Sequence, residues 1–318
     1  MNKKIEVIGV DVGNGYTKTV NVDFVSSVKR WGDVTPALND KLVEYEGKSY
    51  TVGGDRTKTK TDQKKDETCL ILALASIAEE IRARKLPHKC RILLSEGLPL
   101  ERCTEQNKEI DKKYYKSGEI IDFKYEGEPY QIEVVDVLVN PQLVAAIIDM
   151  LINQAIPKNC ILVDIGSWTC EVLPIENYQI MASKAQSFNT GVIECMLKCN
   201  EAIRRRTGKE VPEYLIQQVI LGETPDLPDK YVNLCVTELK SYVQTLSDMF
   251  EENKYNTEFI PVVFCGGGTA IVKNFGKDIF PLAKYILDDR GEKPNIRINA
   301  IGYEKIGKDY LKKMGLDK

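Results

Sequence analysis

Apolar residues at Ile5, Val7, Ile8, Val10 and Val12 run into Gly13-Asn14-Gly15, and an extended pattern resumes at Tyr16. β-rich runs on either side of Asn and Gly predict a hairpin, because those residues accept the positive φ of tight turns. The extended pattern continues to Val52 as an antiparallel meander, with turns expected at Trp31-Gly32-Asp33 and Tyr45-Glu46-Gly47-Lys48. Asp55 to Glu67 is charged and almost free of apolar residues, usually the mark of a solvated loop, with a contact surface for a partner or neighbouring subunit as the minority reading. Leu70, Leu74, Ile77, Ala78 and Ile81 then recur at helical spacing up to Pro87, which predicts a helix over one face of the first sheet.

Cys90 to Leu94 reads as a short buried strand that ends in a turn at Ser95-Glu96-Gly97-Leu98-Pro99. A charged helix is expected near Arg102 to Lys116, with strands at Ile120 to Tyr125 and Tyr130 to Val139. Asn140-Pro141-Gln142 opens an apolar helix, Leu143 to Ile156; proline suits a first helical turn, where its missing N–H has no intrahelical partner. Ile161 to Val172 repeats the opening theme, with an apolar strand delivering Asp164 into Gly166-Ser167-Trp168-Thr169, as the first delivers Asp11. Two such hairpins suggest two related domains facing one ligand. Asn189-Thr190-Gly191 leads a helix through Arg206; Tyr214 to Leu221 and Val232 to Glu251 supply further helices. Ile260 to Phe264 is a strand running into Cys265-Gly266-Gly267-Gly268-Thr269, with helix signals after it.

Composition narrows the class. A chain of 318 residues, 43% hydrophobic, suggests two domains with real cores. The net charge of -3 gives no electrostatic reason for direct DNA binding, which needs a basic face. Nine cysteines, an odd count mostly within apolar runs, fit a reducing cytoplasm. Cys195 and Cys199 lack a second Cys or His pair, which argues against zinc, and His88, the only histidine, argues against Ser-His or Cys-His catalysis. No apolar run approaches the ~20 residues of a membrane span, and a soluble, unprocessed protein is expected.

The candidate chemistry lies in the turns. An acidic side chain ending a buried strand, as at Asp11, needs a partner, and successive turn N–H groups make an anion cradle. Three consecutive glycines after a buried strand permit close approach of a flat or phosphorylated ligand.

The order of hairpin with Asp11, helix opening at Pro141-Gln142, hairpin with Asp164 and triple-glycine strand end resembles the actin, DnaK-type chaperone and sugar-kinase superfamily of ATPases. Within it, Gly9 to Lys18, Phe24-Val25-Ser26-Ser27, Gly97-Leu98-Pro99, Val139-Asn140-Pro141-Gln142 and Asn299-Ala300-Ile301-Gly302-Tyr303 are similar to bacterial actin-like proteins of the ParM and Alp type, which segregate plasmids. Trp168, where the family more often has a small or acidic residue, and Val25, where relatives often have proline, depart from that pattern.

The resemblance implies duplicated actin-like (ribonuclease H-like) α/β domains, each with a mixed five-stranded sheet flanked by helices, and a nucleotide cleft between them. Domain I is expected over residues 1–155 plus 300–318 and domain II over 156–299, with a last helix of about Tyr303 to Met314 packed on domain I. The resemblance also implies ATP, or GTP, with Mg²⁺ held through water by Asp11 and Asp164. Gly13, Asn14, Gly15, Tyr16 and Lys18, with Gly166, Ser167, Trp168 and Thr169, would face the phosphates. Gly191 would lie near the sugar, Gly266, Gly267 and Gly268 near adenine and ribose, and Gln217 or Gln218 near the base. Gln142 would orient the attacking water, since an amide is a poor base suited to slow hydrolysis. On this resemblance Asp11, Asp164 and Gln142 would form the catalytic set. The partners implied are the chain itself, as a homopolymer filament, and a DNA-binding adaptor, with neither membrane nor direct DNA contact.

Two other classes compete with a filament-forming ATPase that segregates or positions plasmid or phage DNA. A monomeric small-molecule kinase needs an acceptor-activating Asp in a sugar pocket, and no convincing one stands out. A chaperone-like switch needs a substrate domain, whereas only residues 304–318 follow Tyr303.

Overall fold

The computed structural model describes residues 4–31, 41–54, 67–288, 290–291 and 293–316. The turn expected at Gly32-Asp33 and nearly all of the charged run 55–67 lie outside the described residues. The chain divides into two compact units, Met1–Asp149 with Arg297–Lys318, and Met150–Ile296.

The first unit begins with β1 (Ile5–Gly9), β2 (Asp11–Val12), β3 (Tyr16–Lys18), β4 (Asp23–Val25), β5 (Val28–Arg30), β6 (Lys41–Tyr45) and β7 (Lys48–Val52). It continues through α1 (Glu67–Ala83), β8 (Lys89–Leu98), α2 (Glu105–Tyr114), β9 (Ile120–Tyr125), β10 (Glu128–Pro141) and α3 (Val144–Ile152), which runs across the junction. A seven-stranded mixed sheet has the order β1-β8-β10-β9-β6-β7-β5, with β1, β8 and β10 parallel, and β2-β3-β4 form a separate antiparallel sheet. Five strands were expected. The meander adds its own strands to the far edge, and the N-terminal run breaks at Val10, whose N–H donates to Ser95 O at 2.8 Å.

β1 alternates as a strand buried on two faces should. Ile8 and Val10 join the core under α1, whereas Ile5 and Val7 pack with Leu93 and Leu311. β8 is ten residues long, so Ser95–Leu98 are strand rather than the expected turn. Ser95 is paired on both sides, with Gly9 of β1 and Leu138 of β10, Glu96, Gly97 and Leu98 pair with Val139, Asn140 and Pro141 of β10, and Asn140 Nδ2 donates to the buried Ser95 hydroxyl at 2.9 Å. Pro141 likewise ends β10 instead of starting a helix. It is tolerated because β9 pairs only with Glu128 to Glu133 and no neighbour requires its N–H.

The second unit contains β11 (Cys160–Ile165), β12 (Cys170–Glu176), β13 (Gln179–Ile180), β14 (Gln186–Phe188), α4 (Val192–Thr207), α5 (Glu213–Leu221) and α6 (Asp229–Glu252). β15 (Val262–Cys265), α7 (Thr269–Phe275) and β16 (Lys284–Tyr285) complete it. Its sheet has the order β13-β12-β11-β15-β16, with β14 also on β12; β11, β15 and β16 are parallel. α4 packs on α6 and α6 on α7, and Cys195, Cys199, Leu239, Leu246 and Ile271 fill the core with Phe264 and Phe280. α4 stops at Gly208, whose left-handed φ of 70° is a low-strain C-terminal exit for glycine.

α8 (Ile298–Lys313) returns to the first unit and starts five positions before the expected Tyr303. It lies on β1 and β8 through small residues. A Cβ on Gly9 would collide with Ala300 O, one on Gly97 with the Tyr303 ring, and one on Gly307 would come 2.5 Å from Val7. All nine cysteines are free thiols. Among the described residues no helix is long and apolar enough to cross a membrane.

Candidate functional site

The first Asp-bearing turn stands at the C-terminal edge of the parallel strands β1, β8 and β10, the edge at which open α/β sheets bind ligands. Asp11 opens β2 and is 4% exposed. Lys18 lies opposite it in the β2–β3 register and donates to its Oδ2 at 2.9 Å. Gly13 N–H donates to Tyr16 O at 3.1 Å, and a Cβ on Gly13 would meet that carbonyl at 2.9 Å. None of Gly13, Asn14 and Gly15 has the expected positive φ. The physical reason is Ser26: its hydroxyl donates to Gly13 O at 2.5 Å and its N–H to Gly15 O at 3.0 Å, replacing the closure of a tight hairpin with an open, buttressed turn.

The second turn repeats the first. Asp164 is the penultimate residue of β11, and Gly166 N–H donates to Thr169 O at 2.9 Å. Val192 and Ile193, in the first turn of α4, donate to the Gly166 and Ser167 carbonyls at 3.1 and 2.9 Å. Gly191 permits this seating, since its Cβ would lie 2.7 Å from the Ser167 carbonyl group and the Trp168 nitrogen. The Trp168 ring packs on the core of this unit, with Nε1 buried and without a hydrogen-bond partner among the described residues.

Asp164 and the triple glycine are brought together by β15, which places Cys265 opposite Asp164. Gly266 has φ 77°, and a Cβ on it would run into Asp164 Oδ1. Gly268 N–H donates to Ile165 O at 2.9 Å, and a Cβ there would strike the Ile165 side chain. Two buried thiols flank the carboxylate: burial, then the charge of Asp164, pushes Cys170 and Cys265 well above the ordinary thiol range. They are inert packing groups here, since the reactive form is the thiolate.

Gln142 follows the last residue of β10, and its N–H continues the ladder to Leu98 O at 2.7 Å. Asp11, Gly13 to Tyr16, Lys18 and Gln142 thus share the strand-end edge of one unit; Asp164, Gly166 to Thr169, Gly191 and Gly266 to Gly268 share that of the other.

Sequence reasoning missed Glu80. Fully buried in α1, it accepts from Thr19 Oγ1 at 2.5 Å, Asn21 Nδ2 at 2.6 Å and Arg84 Nε at 2.6 Å. Arg84 donates on to Val7 O at 2.8 Å and pairs with Glu304 of α8. Burial alone would raise the Glu80 carboxyl, but the bonds from Thr19, Arg84 and Asn21 outweigh it and hold it below its ordinary value. One acid thus ties the outer end of the first hairpin to α1. A charged residue on the buried side of an otherwise apolar helix was the available signal.

The donors present fit a nucleotide with a hydrated divalent cation. Each unit offers a carboxylate at the C-terminal end of its parallel strands and a turn closed by a glycine N–H, Gly13 on Tyr16 O in one and Gly166 on Thr169 O in the other, and Mg²⁺ prefers waters plus one or two carboxylates.

A duplicated turn on two mixed-sheet α/β units flanked by helices defines the actin-like fold. Residues 9–144 match the family model for the N-terminal domain of actin-like proteins, and residues 162–277 the model for the C-terminal part of the archaeal MreB-like actin homologue. The chain is an actin-like protein built from these two domains. Among solved structures it is similar to Ta0583, an archaeal actin homologue in complex with ADP, at 19% identity and TM-score 0.75, covering 96% of this chain and 100% of that one. It is similar to the apo pSK41 ParM protein at 17% identity and TM-score 0.69, covering 99% and 100%. It also resembles the AlfA filament bound to AMPPNP at 17% identity and TM-score 0.62, covering 98% and 99%. No curated protein matches the sequence significantly.

Proposed function

We propose that this chain is a nucleotide-dependent, filament-forming ATPase that segregates or positions plasmid or phage DNA in the cytoplasm through a DNA-binding adaptor. The observation that carries the reading is the matched pair of Asp-bearing turns, Asp11 with Gly13 to Tyr16 and Asp164 with Gly166 to Thr169, one at the strand-end edge of each unit. Asp11 and Asp164 hold Mg²⁺ through water. The turn N–H groups and Lys18 meet the phosphates of ATP, or of GTP, and Gly266 to Gly268 admit the base and ribose. Gln142 orients the attacking water. Gly191 acts by seating α4 on the second turn, one step from the ligand. AMPPNP on the AlfA filament and ADP on the archaeal homologue support nucleotide binding and self-assembly as the joint reading.

Because a ligand shifts an equilibrium only by its differential affinity for two states, the triphosphate form is the one expected to assemble. Light scattering with electron microscopy, with and without ATP and Mg²⁺, tests this: micromolar protein should scatter above a threshold concentration only with the nucleotide. Persistent monomers across salt and temperature, together with phosphorylation of a sugar or acid, overturn it in favour of a kinase. With a net charge of -3, the purified chain should not bind DNA tightly at physiological salt.

A further inference from the structure

Between β10 and α3 the backbone makes a turn that the sequence pattern does not anticipate. Leu143 is buried, 3% exposed, and has φ 63°, a region that disfavours a bulky side chain. Val144 N–H donates to Gln142 O at 2.6 Å across it, which makes Leu143 the centre of a γ-turn of the strained, positive-φ form. Such strain persists only where the surroundings over-determine it. Two contacts from α8 do so: Asn299 Oδ1 accepts the Leu143 N–H at 3.1 Å, and Gly302 sits so close to Ala145 that a Cβ would overlap the Ala145 carbonyl. Without the Asn299 acceptor, a buried N–H would go unsatisfied, and the apolar pattern from Leu143 onward favours winding this residue into α3. That winding would draw Gln142 off Leu98 and away from the strand-end edge it shares with Asp11.

We propose that Asn299 is a positioning residue: by holding Leu143 in its left-handed turn, it keeps Gln142 at the end of β10, where the hydrolytic water is oriented. The proposal rests on the role of Gln142 under Proposed function. Its structural half stands apart, because the state of the Leu143 amide can be read without nucleotide. Placement of a bulky residue in the left-handed region is disfavoured by about tenfold, so losing the latch should lower the population of correctly placed Gln142 by about that factor.

The test uses full-length protein in four forms: wild type, Asn299→Leu, Asn299→Asp and the double variant Asn299→Leu with Leu143→Gly. Amide exchange of ¹⁵N-leucine-labelled, nucleotide-free protein is measured beside phosphate release at saturating ATP and nucleotide affinity. Asn299→Leu should speed Leu143 exchange and cut the turnover rate about tenfold with affinity nearly unchanged. Asn299→Asp, which keeps an acceptor oxygen, should restore both. Adding Leu143→Gly to Asn299→Leu should recover turnover, since glycine adopts the left-handed region freely. Wild-type exchange and turnover in Asn299→Leu overturn the proposal, as does an equal loss in Asn299→Asp, or affinity falling in step with turnover. If wild type hydrolyses no ATP, the reading of function fails and the exchange rates alone decide the latch: unchanged exchange in Asn299→Leu rejects it, and faster exchange reversed by Asn299→Asp supports it.

Discussion

Lys18 Nζ lies 2.9 Å from Asp11 Oδ2, and the two residues face each other across the β2–β3 ladder with the carboxylate buried. Lys18 thereby balances a buried negative charge at a strand end. Removing only the cation leaves that charge unpaired, so Lys18→Met should destabilise the nucleotide-free protein by about 3 kcal/mol. Asp11→Ala should cost less stability yet weaken Mg²⁺-nucleotide binding and assembly together. Thermal melting and nucleotide-binding titrations on both variants check the contrast. A stable Lys18→Met or a fully binding Asp11→Ala would take the pair out of the site.

Glu80 offers a pH test with a definite sign. Its folded carboxyl is held below the ordinary value of 4.5, because the bonds from Thr19, Arg84 and Asn21 outweigh the effect of burial. The stabilisation is therefore fully present above the unfolded value and is lost as pH falls through the folded one. Glu80→Gln should lose about 3 kcal/mol at neutral pH, since Arg84 and Thr19 keep their burial but lose a charged acceptor. The difference from wild type should shrink below about pH 4.5. Urea denaturation from pH 7 to pH 3 measures it; a pH-independent difference would show that the charge on Glu80 does not matter.

The two Asp-bearing turns, the helices after Glu67 and Gly191, and the triple-glycine strand end were legible in the sequence because each rests on local chemistry. Apolar runs, glycine at a close approach and helical spacing are all properties of consecutive residues. What stayed hidden depends on partners distant in the chain. Ser95 and Gly97 read as a turn because their polar and small side chains answer to Asn140 and Tyr303, not to their own neighbours. Pro141 read as a helix start because its pattern does not reveal that β9 stops short of it. The positive φ expected at Gly13-Asn14-Gly15 is absent because Ser26 replaces the tight closure, whereas the left-handed residue that matters, Leu143, carries no compositional sign.

Trp168 and Gly191 make the second turn observable. Trp168 packs on the core beside the turn nitrogens, while the other tryptophan, Trp31, is 51% exposed. In a Trp31→Phe background the remaining indole should change its emission when nucleotide binds. Gly191→Ala forces a Cβ to within 2.7 Å of the Ser167 and Trp168 backbone. It should therefore cost about 1–3 kcal/mol by overpacking and shift the Trp168 emission before any nucleotide is added. Fluorescence spectra and melting curves on the two variants suffice, and an indole blind to both changes would mean that this turn does not report on the ligand.

A substitution at Gln142 tests whether binding and hydrolysis are separable. The residue stands at the end of β10, anchored by its own N–H to Leu98 O, on the same edge as Asp11 but without any charge that would attract Mg²⁺ or phosphate. Gln142→Ala should keep nucleotide affinity and filament growth while slowing phosphate release, which gives longer-lived polymers. Losing a water-orienting amide is worth about 10² in rate, roughly 2.7 kcal/mol of barrier. If Gln142 served only to pack the head of α3, the variant would melt at a lower temperature and hydrolyse ATP at the parental rate per assembled subunit. Phosphate release, pelleting and melting temperature taken on one preparation distinguish the two. The left-handed turn at Leu143 argues for the first outcome, because a residue that only packs could be served by the unstrained helix start that the apolar pattern favours.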